Sequence, residues 1–106
     1  PVVAVSNGNA DVHHIGIGRY FKDSLSATRL GVAKPDARIF HAAAQAAGVA
    51  SSAVLHVGDD ALLDAQGALD AGMQAAWLNP AQAAWPQGRP PHATVSSLRG
   101  LCRLLA

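Results

Sequence analysis

The chain has 106 residues, half of them hydrophobic and 14% charged, with a formal net charge of +1. That composition suits one globular domain and excludes a disordered segment. The near-neutral charge leaves no nucleic-acid footprint, and no apolar run approaches the ~20 residues of a membrane span, so neither nucleic acid nor membrane is expected as a partner.

The chain opens on Val2 to Val5, a continuous apolar run that reads as a buried parallel strand. Because nothing precedes this strand, the first residue is expected not to be the native start. Ser6-Asn7-Gly8-Asn9 reads as a turn, Ala10 to about Ile15 as a helix broken by Gly16-Ile17-Gly18, and Leu25 to Thr28 as a short strand. Lys34-Pro35-Asp36 reads as a helix start with Pro35 in the first turn. Ile39, Ala43 and Ala46 mark one face of that helix, and Gly48 ends it. Ala53 to Val57 is the next buried strand, closed by Gly58-Asp59-Asp60. A helix follows to about Ala71, with Gly72 as its stop. Gln74 to Leu78 is a further strand. Asn79 to His92 holds four of the six prolines and reads as an irregular loop. Thr94-Val95 reads as a last strand, and Ser96 as the cap of a final helix through Leu105.

Alternating strands and helices imply an α/β fold with a parallel sheet. In such sheets ligands bind at the C-terminal strand ends, and three polar groups sit there. Ser6 offers a hydroxyl, with the Asn7 and Gly8 amides at an expected helix entrance as an anion site. Lys34 offers a compact positive charge for phosphate oxygens. Asp59 is a hard oxygen ligand suited to magnesium, and Asp64, five residues on, is placed to orient a metal-bound water or to hold Lys34. All seven acidic residues are aspartates, and without glutamate on the helix surfaces each one draws notice. Alone, each motif reads as a turn, a helix start or a cap. Their joint order at successive strand ends points to a site.

Ser6-Asn7-Gly8, Gly31-Val32-Ala33-Lys34-Pro35-Asp36, and His56-Val57-Gly58-Asp59-Asp60 with Asp64 and Gly67-Ala68 resemble the second, third and fourth motifs of the haloacid dehalogenase superfamily. The resemblance runs from Val2 to about Leu78. Ser6 to Ala10, Leu55 to Asp60 and Gly72 to Ala75 are most similar to the branch that includes bacterial flavin mononucleotide phosphatases. The resemblance implies a Rossmann-like three-layer α/β/α core. Residues 1–106 would form part of that core domain, carrying motifs two to four, with the N-terminal strand and the cap missing. It further implies a magnesium-dependent phosphatase acting on a small phosphorylated metabolite, such as flavin mononucleotide or a precursor, through an aspartyl-phosphate. Ser6 and Lys34 would be catalytic, with Asn7 and Gly8 beside them on the phosphate. Asp59 would bind Mg²⁺ directly and Asp64 would support it. Asp60 would either sit behind the metal or cap the following helix.

The family's Asp-x-Asp motif does not occur in these residues: Asp59-Asp60 is adjacent rather than alternate, and Asp70 reads as helical. The chain by itself is therefore expected to be inactive. In the family the strand carrying that motif lies between the strands at Val2–Val5 and Ala53–Val57, so a gap is expected there. Direct pairing of the two strands, a strand from another chain, or a segment outside this sequence would fill it.

Two rival functions follow: a haloacid dehalogenase that attacks carbon without metal, and a non-catalytic fragment or binding module. Asp59 argues against the first, because a dehalogenase has no use for a magnesium ligand there. A response-regulator receiver is set aside because its acidic pair precedes its lysine. Gly16-x-Gly18 is no dinucleotide fingerprint, since Phe21 stands where the third glycine belongs. His13-His14 reads as surface, His56 as a satisfied core histidine, Trp77 as packing on the sheet, and Arg89, Arg99 and Arg103 as solvated charges. The single cysteine, Cys102, cannot form an internal disulfide, which fits a cytoplasmic location.

Overall fold

The valine-rich opening segment folds as strand β1, Val3–Ser6, in a computed structural model that describes residues 1–86 and 88–106. It pairs in parallel with β2, Asp23–Ser26, in a register running from Val3 opposite Asp23 to Ser6 opposite Ser26. A second parallel sheet has the order β3-β4-β5, made of Leu55–Gly58, Gln74–Leu78 and Ala93–Val95. Helix α1 is Ala27–Leu30, α2 is Ala37–Ala47, α3 is Gly67–Asp70, and α4 is Leu98–Leu105.

The helix limits follow local chemistry. Asp36 caps α2 by accepting from the Arg38 amide, and Gly48 closes it at φ 76°, a left-handed position open to glycine at little cost. Pro35 thus lies just outside α2 rather than in its first turn. Asp60 accepts from the Leu62 and Leu63 amides and starts a π-helical turn, Ala61–Gln66, which runs into α3. Ser97, one residue after the expected Ser96, caps α4 through the Gly100 amide.

Two expectations fail locally. Residues 12–16 form turns, not a helix. Asp11 uses its carboxylate on the His13 amide, a local bond that competes with helical pairing. The second strand starts at Asp23 instead of Leu25 and ends at Ser26, because the Ser26 hydroxyl accepts from the Arg29 amide and turns the chain into α1. The loop expected from Asn79 to His92 contains Gln87, which lies outside the described residues. Around that position the chain is irregular, and Trp85 stacks edge-on against Trp77 at 5.3 Å. Arg89 is not simply solvated, since its guanidinium donates to the Leu69 carbonyl at 2.9 Å.

The strand period sorts the core into two layers. On one face of the second sheet, Ala75 and Trp77 pack with Ile39, Phe40 and Ala44 of α2 and Ala68 and Leu69 of α3. On the other, Leu55, Val57, Ala76 and Leu78 pack with Leu101 of α4. This is the expected three-layer α/β/α arrangement. Phe40 and Ile39 are fully buried, each contributing roughly 1.5–3 kcal/mol relative to exposure. Val5 of β1 packs on the same cluster, so α2 bridges the two sheets.

β1 and β3 do not pair with each other. Between them runs a cleft of about 650 Å³, lined by Val3, Val5, Leu55 and Val57 and by Leu101 and Leu105 of α4. Direct pairing, one of the three ways the gap was expected to close, is therefore not adopted. No described helix is long and apolar enough to cross a membrane.

Candidate active site

Ser6 is the last residue of β1, and Asp59 follows the last residue of β3. Lys34 joins these two strand ends. Its Nζ donates to the Val5 carbonyl at 3.3 Å and to Asp64 Oδ1 at 2.7 Å. Asp64 Oδ2 in turn accepts from the Asp60 amide at 3.2 Å, next to Asp59. A hydroxyl, an ammonium and a carboxylate turn thus gather at one end of the two sheets.

The Lys34–Asp64 pair is largely buried, with side-chain exposures of 13% and 7%. Burial works to raise the Asp64 pKa. Hydrogen bonds from His56 and Lys34, the Lys34 charge and the Asp60 amide outweigh it and hold the carboxyl well below the ordinary carboxylate range. Asp64 is therefore ionised and can only accept. Gly58 makes room for it: a Cβ at that position would collide with the Asp64 carboxylate.

The surroundings of Asn7 differ from the expectation in one respect. No helix starts directly after β1: bends at residues 7–9 and turns at residues 12–16 come first, and the next element is a short 3-10 helix, Gly18–Tyr20, so the expected helix entrance at Asn7 and Gly8 is not formed. The Asn7 side chain instead exchanges two bonds with the Lys34 backbone: Oδ1 accepts from the Lys34 amide at 2.7 Å, and Nδ2 donates to its carbonyl at 3.0 Å. The Gly8 N–H is also engaged, donating to Ser6 Oγ at 3.0 Å. Two roles were not legible in the motifs. His56 bonds Asp64 Oδ1 at 3.0 Å, so it is satisfied as expected, but by the site itself. The Trp77 indole N–H donates to the Asp59 carbonyl at 3.0 Å and pins the turn. An ionisable residue inside an apolar strand, as His56 is, was the one available signal.

Among the described residues no three His, Cys, Asp or Glu side chains are grouped as a ready metal cage. Asp64 accepts two bonds at Oδ1 and one at Oδ2. Asp60 spends Oδ1 on the Leu62 and Leu63 amides at 3.0 and 2.8 Å, which favours the capping alternative. Asp59 is exposed, and its carboxylate makes no bond or ion pair among the described residues. A magnesium ion keeps several waters and is commonly held by one or two carboxylates plus substrate oxygens. One free aspartate in the turn next to the Lys34–Asp64 pair fits that demand.

The haloacid dehalogenase-like hydrolase family matches residues 1–72. The chain is 38% identical over 109 residues to the 5-amino-6-(5-phospho-D-ribitylamino)uracil phosphatase YigB of Escherichia coli K12, covering 99% of the chain and 46% of that protein. It is 36% identical over 106 residues to an (S)-2-haloacid dehalogenase of Pseudomonas sp. strain YL, covering 94% of the chain and 45% of that enzyme. The crystal structure of a 2-haloacid dehalogenase from Pseudomonas syringae pv. Tomato superposes with a TM-score of 0.92 at 43% identity, over 97% of the chain and 45% of the other. The chain thus spans about half the length of the relatives it matches. With the family matched over residues 1–72 and the fold shared throughout, the chain belongs to the haloacid dehalogenase-like hydrolases.

Proposed function

We propose that residues 1–106 are the part of a magnesium-dependent phosphatase core domain that carries motifs two to four, acting in the cytoplasm on a small phosphate monoester. The observation that carries this reading is the free Asp59 carboxylate beside the buried Lys34–Asp64 pair. Ser6 would donate its hydroxyl to a phosphoryl oxygen and Lys34 would neutralise the developing charge, while Asn7 and Gly8 set the loop that presents them. Asp59 would hold Mg²⁺, which when bound supplies charge neutralisation at the phosphoryl group. Asp64 would keep Lys34 in place.

The attacking aspartate, which would form the aspartyl-phosphate, is not among these residues. We place it on a strand supplied from outside them, in the same protein or another chain, and seated in the β1–β3 cleft. Both strands bordering that cleft are only half-buried, and its walls are apolar. On this reading the 106 residues alone do not turn over.

The substrate class is drawn from the relatives. YigB is named for a phosphorylated ribitylaminouracil, and a second relative, YjjG of E. coli K12, is named as a pyrimidine 5'-nucleotidase. A phosphorylated flavin precursor or flavin mononucleotide is the specific expectation. The test is phosphate release from flavin mononucleotide, from 5'-nucleotides and from p-nitrophenyl phosphate by the full-length protein, with Mg²⁺ and with chelator, after its intact mass has been compared with 10.8 kDa. Metal-dependent phosphate release is expected. Undiminished activity in chelator would defeat the proposal, and metal-free halide release from 2-haloacids would favour the dehalogenase reading.

A further inference from the structure

β3 alternates between two layers, and the residues facing α2 from the second sheet are otherwise apolar. Ala75, opposite His56 in register, and Trp77 belong to that layer. A histidine in this position buries a polar ring and needs a partner to offset that. It has one: Nε2 lies 3.0 Å from Asp64 Oδ1. Because Asp64 is ionised and can only accept, Nε2 carries the hydrogen and donates. The ring also packs against Phe40, which meets it in a T-shaped contact at 5.1 Å and is itself fully buried.

Three donors from three parts of the chain therefore converge on one carboxylate: His56 from β3, Lys34 from the loop before α2, and the Asp60 amide from the turn after β3. A lysine ammonium sits on a flexible four-carbon stem, so its place is defined by its acceptors. For Lys34 those are Asp64 Oδ1 and the Val5 carbonyl. Whatever orients Asp64 orients Lys34.

We propose that His56 is a positioning residue: packed against Phe40, it donates to Asp64 and so holds the Lys34 ammonium where a phosphoryl group is bound. The catalytic consequence rests on the phosphatase reading above; the positional one does not.

The experiment uses the full-length protein with His56→Met, which keeps bulk but removes the donor, and His56→Gln, whose amide nitrogen can reach a similar place. The first measurement is acylation of lysines by acetic anhydride, read by mass spectrometry as the ratio of Lys34 to the exposed Lys22. His56→Met is expected to raise this ratio several-fold, and His56→Gln to return it towards wild type. The second is turnover of p-nitrophenyl phosphate with Mg²⁺. There His56→Met is expected to lower kcat by roughly tenfold or more with a smaller change in KM, and His56→Gln to recover much of it.

A variant that merely misfolds would also raise the ratio, because Lys22 is already exposed, so the ratio is read only in variants that keep a cooperative unfolding transition and a Tm near wild type. For that case His56→Leu and His56→Asn provide a second apolar and donor-bearing pair. An unchanged labelling ratio in folded His56→Met or His56→Leu overturns the proposal, as does a loss that neither His56→Gln nor His56→Asn restores. If wild type releases no phosphate, the functional reading fails while the labelling ratio still decides the role of His56.

Discussion

Lys34 Nζ lies 2.7 Å from Asp64 Oδ1, and the same ammonium reaches the Val5 carbonyl at 3.3 Å. One side chain thus ties the end of the first sheet to the turn that follows β3. The two sheets share no strand pairing, so contacts such as this one and the packing of α2 hold the end of β1 near the end of β3.

Breaking the pair from one side leaves a buried charge without its partner. Lys34→Ala should destabilise the full-length protein by roughly 3–5 kcal/mol and lower kcat on a phosphate monoester by on the order of a hundredfold or more. Denaturant unfolding and steady-state kinetics measure the two effects. A variant with full activity would remove Lys34 from the site.

Asp59 and Asp60 are neighbours with separable jobs. Asp59→Asn should abolish Mg²⁺-dependent turnover and leave Tm within error, because its carboxylate holds no described part of the fold together. Asp60→Ala removes a helix cap that serves two amides and should cost about 1 kcal/mol of stability while keeping metal dependence. Reversal of these two patterns would exchange the roles assigned here.

Asn7 is a loop clamp. Asn7→Ala should leave the Lys34 amide and carbonyl unpartnered and lower kcat, and Asn7→Asp should fail to restore it, because a carboxylate can accept from the Lys34 amide but cannot donate to its carbonyl. Equal rescue by Asn7→Asp would show that only the acceptor matters.

Gly58 has no room for a side chain. Gly58→Ala should push Asp64 away from Lys34 and His56, lowering both stability and kcat, although alanine is otherwise at least as acceptable in a strand. A crystal structure of the variant with Asp64 unmoved would refute the steric account.

The pH dependence has a definite sign. Asp64 is held below its unfolded value of about 3.9, so its contribution to stability is fully present above that pH. It is lost as pH falls through the lower folded-state value, where the folded protein takes up the proton. Wild type should therefore lose stability more steeply than Asp64→Asn below about pH 4. Parallel curves from urea midpoints between neutral and acidic pH would contradict this.

The chain order of strands and helices was legible in the sequence because apolar runs and glycine stops are local signals. β4 matched residue for residue, and Gly48 ended α2 as expected. The polar residues at the strand ends were legible too, since parallel α/β order alone sends Ser6, Lys34 and Asp59 towards one rim. Local competition misled the reading where a side chain captured a nearby amide, as Asp11 does before the turns and Ser26 does before α1. What each polar group bonds to was decided only by tertiary structure. Asn7 and Lys34 are separated by 27 residues and His56 and Asp64 by eight, and no periodicity encodes which donor meets which lone pair. The open cleft between β1 and β3 is likewise tertiary: which strands pair depends on how the two sheets are placed, and the strand patterns themselves do not contain that.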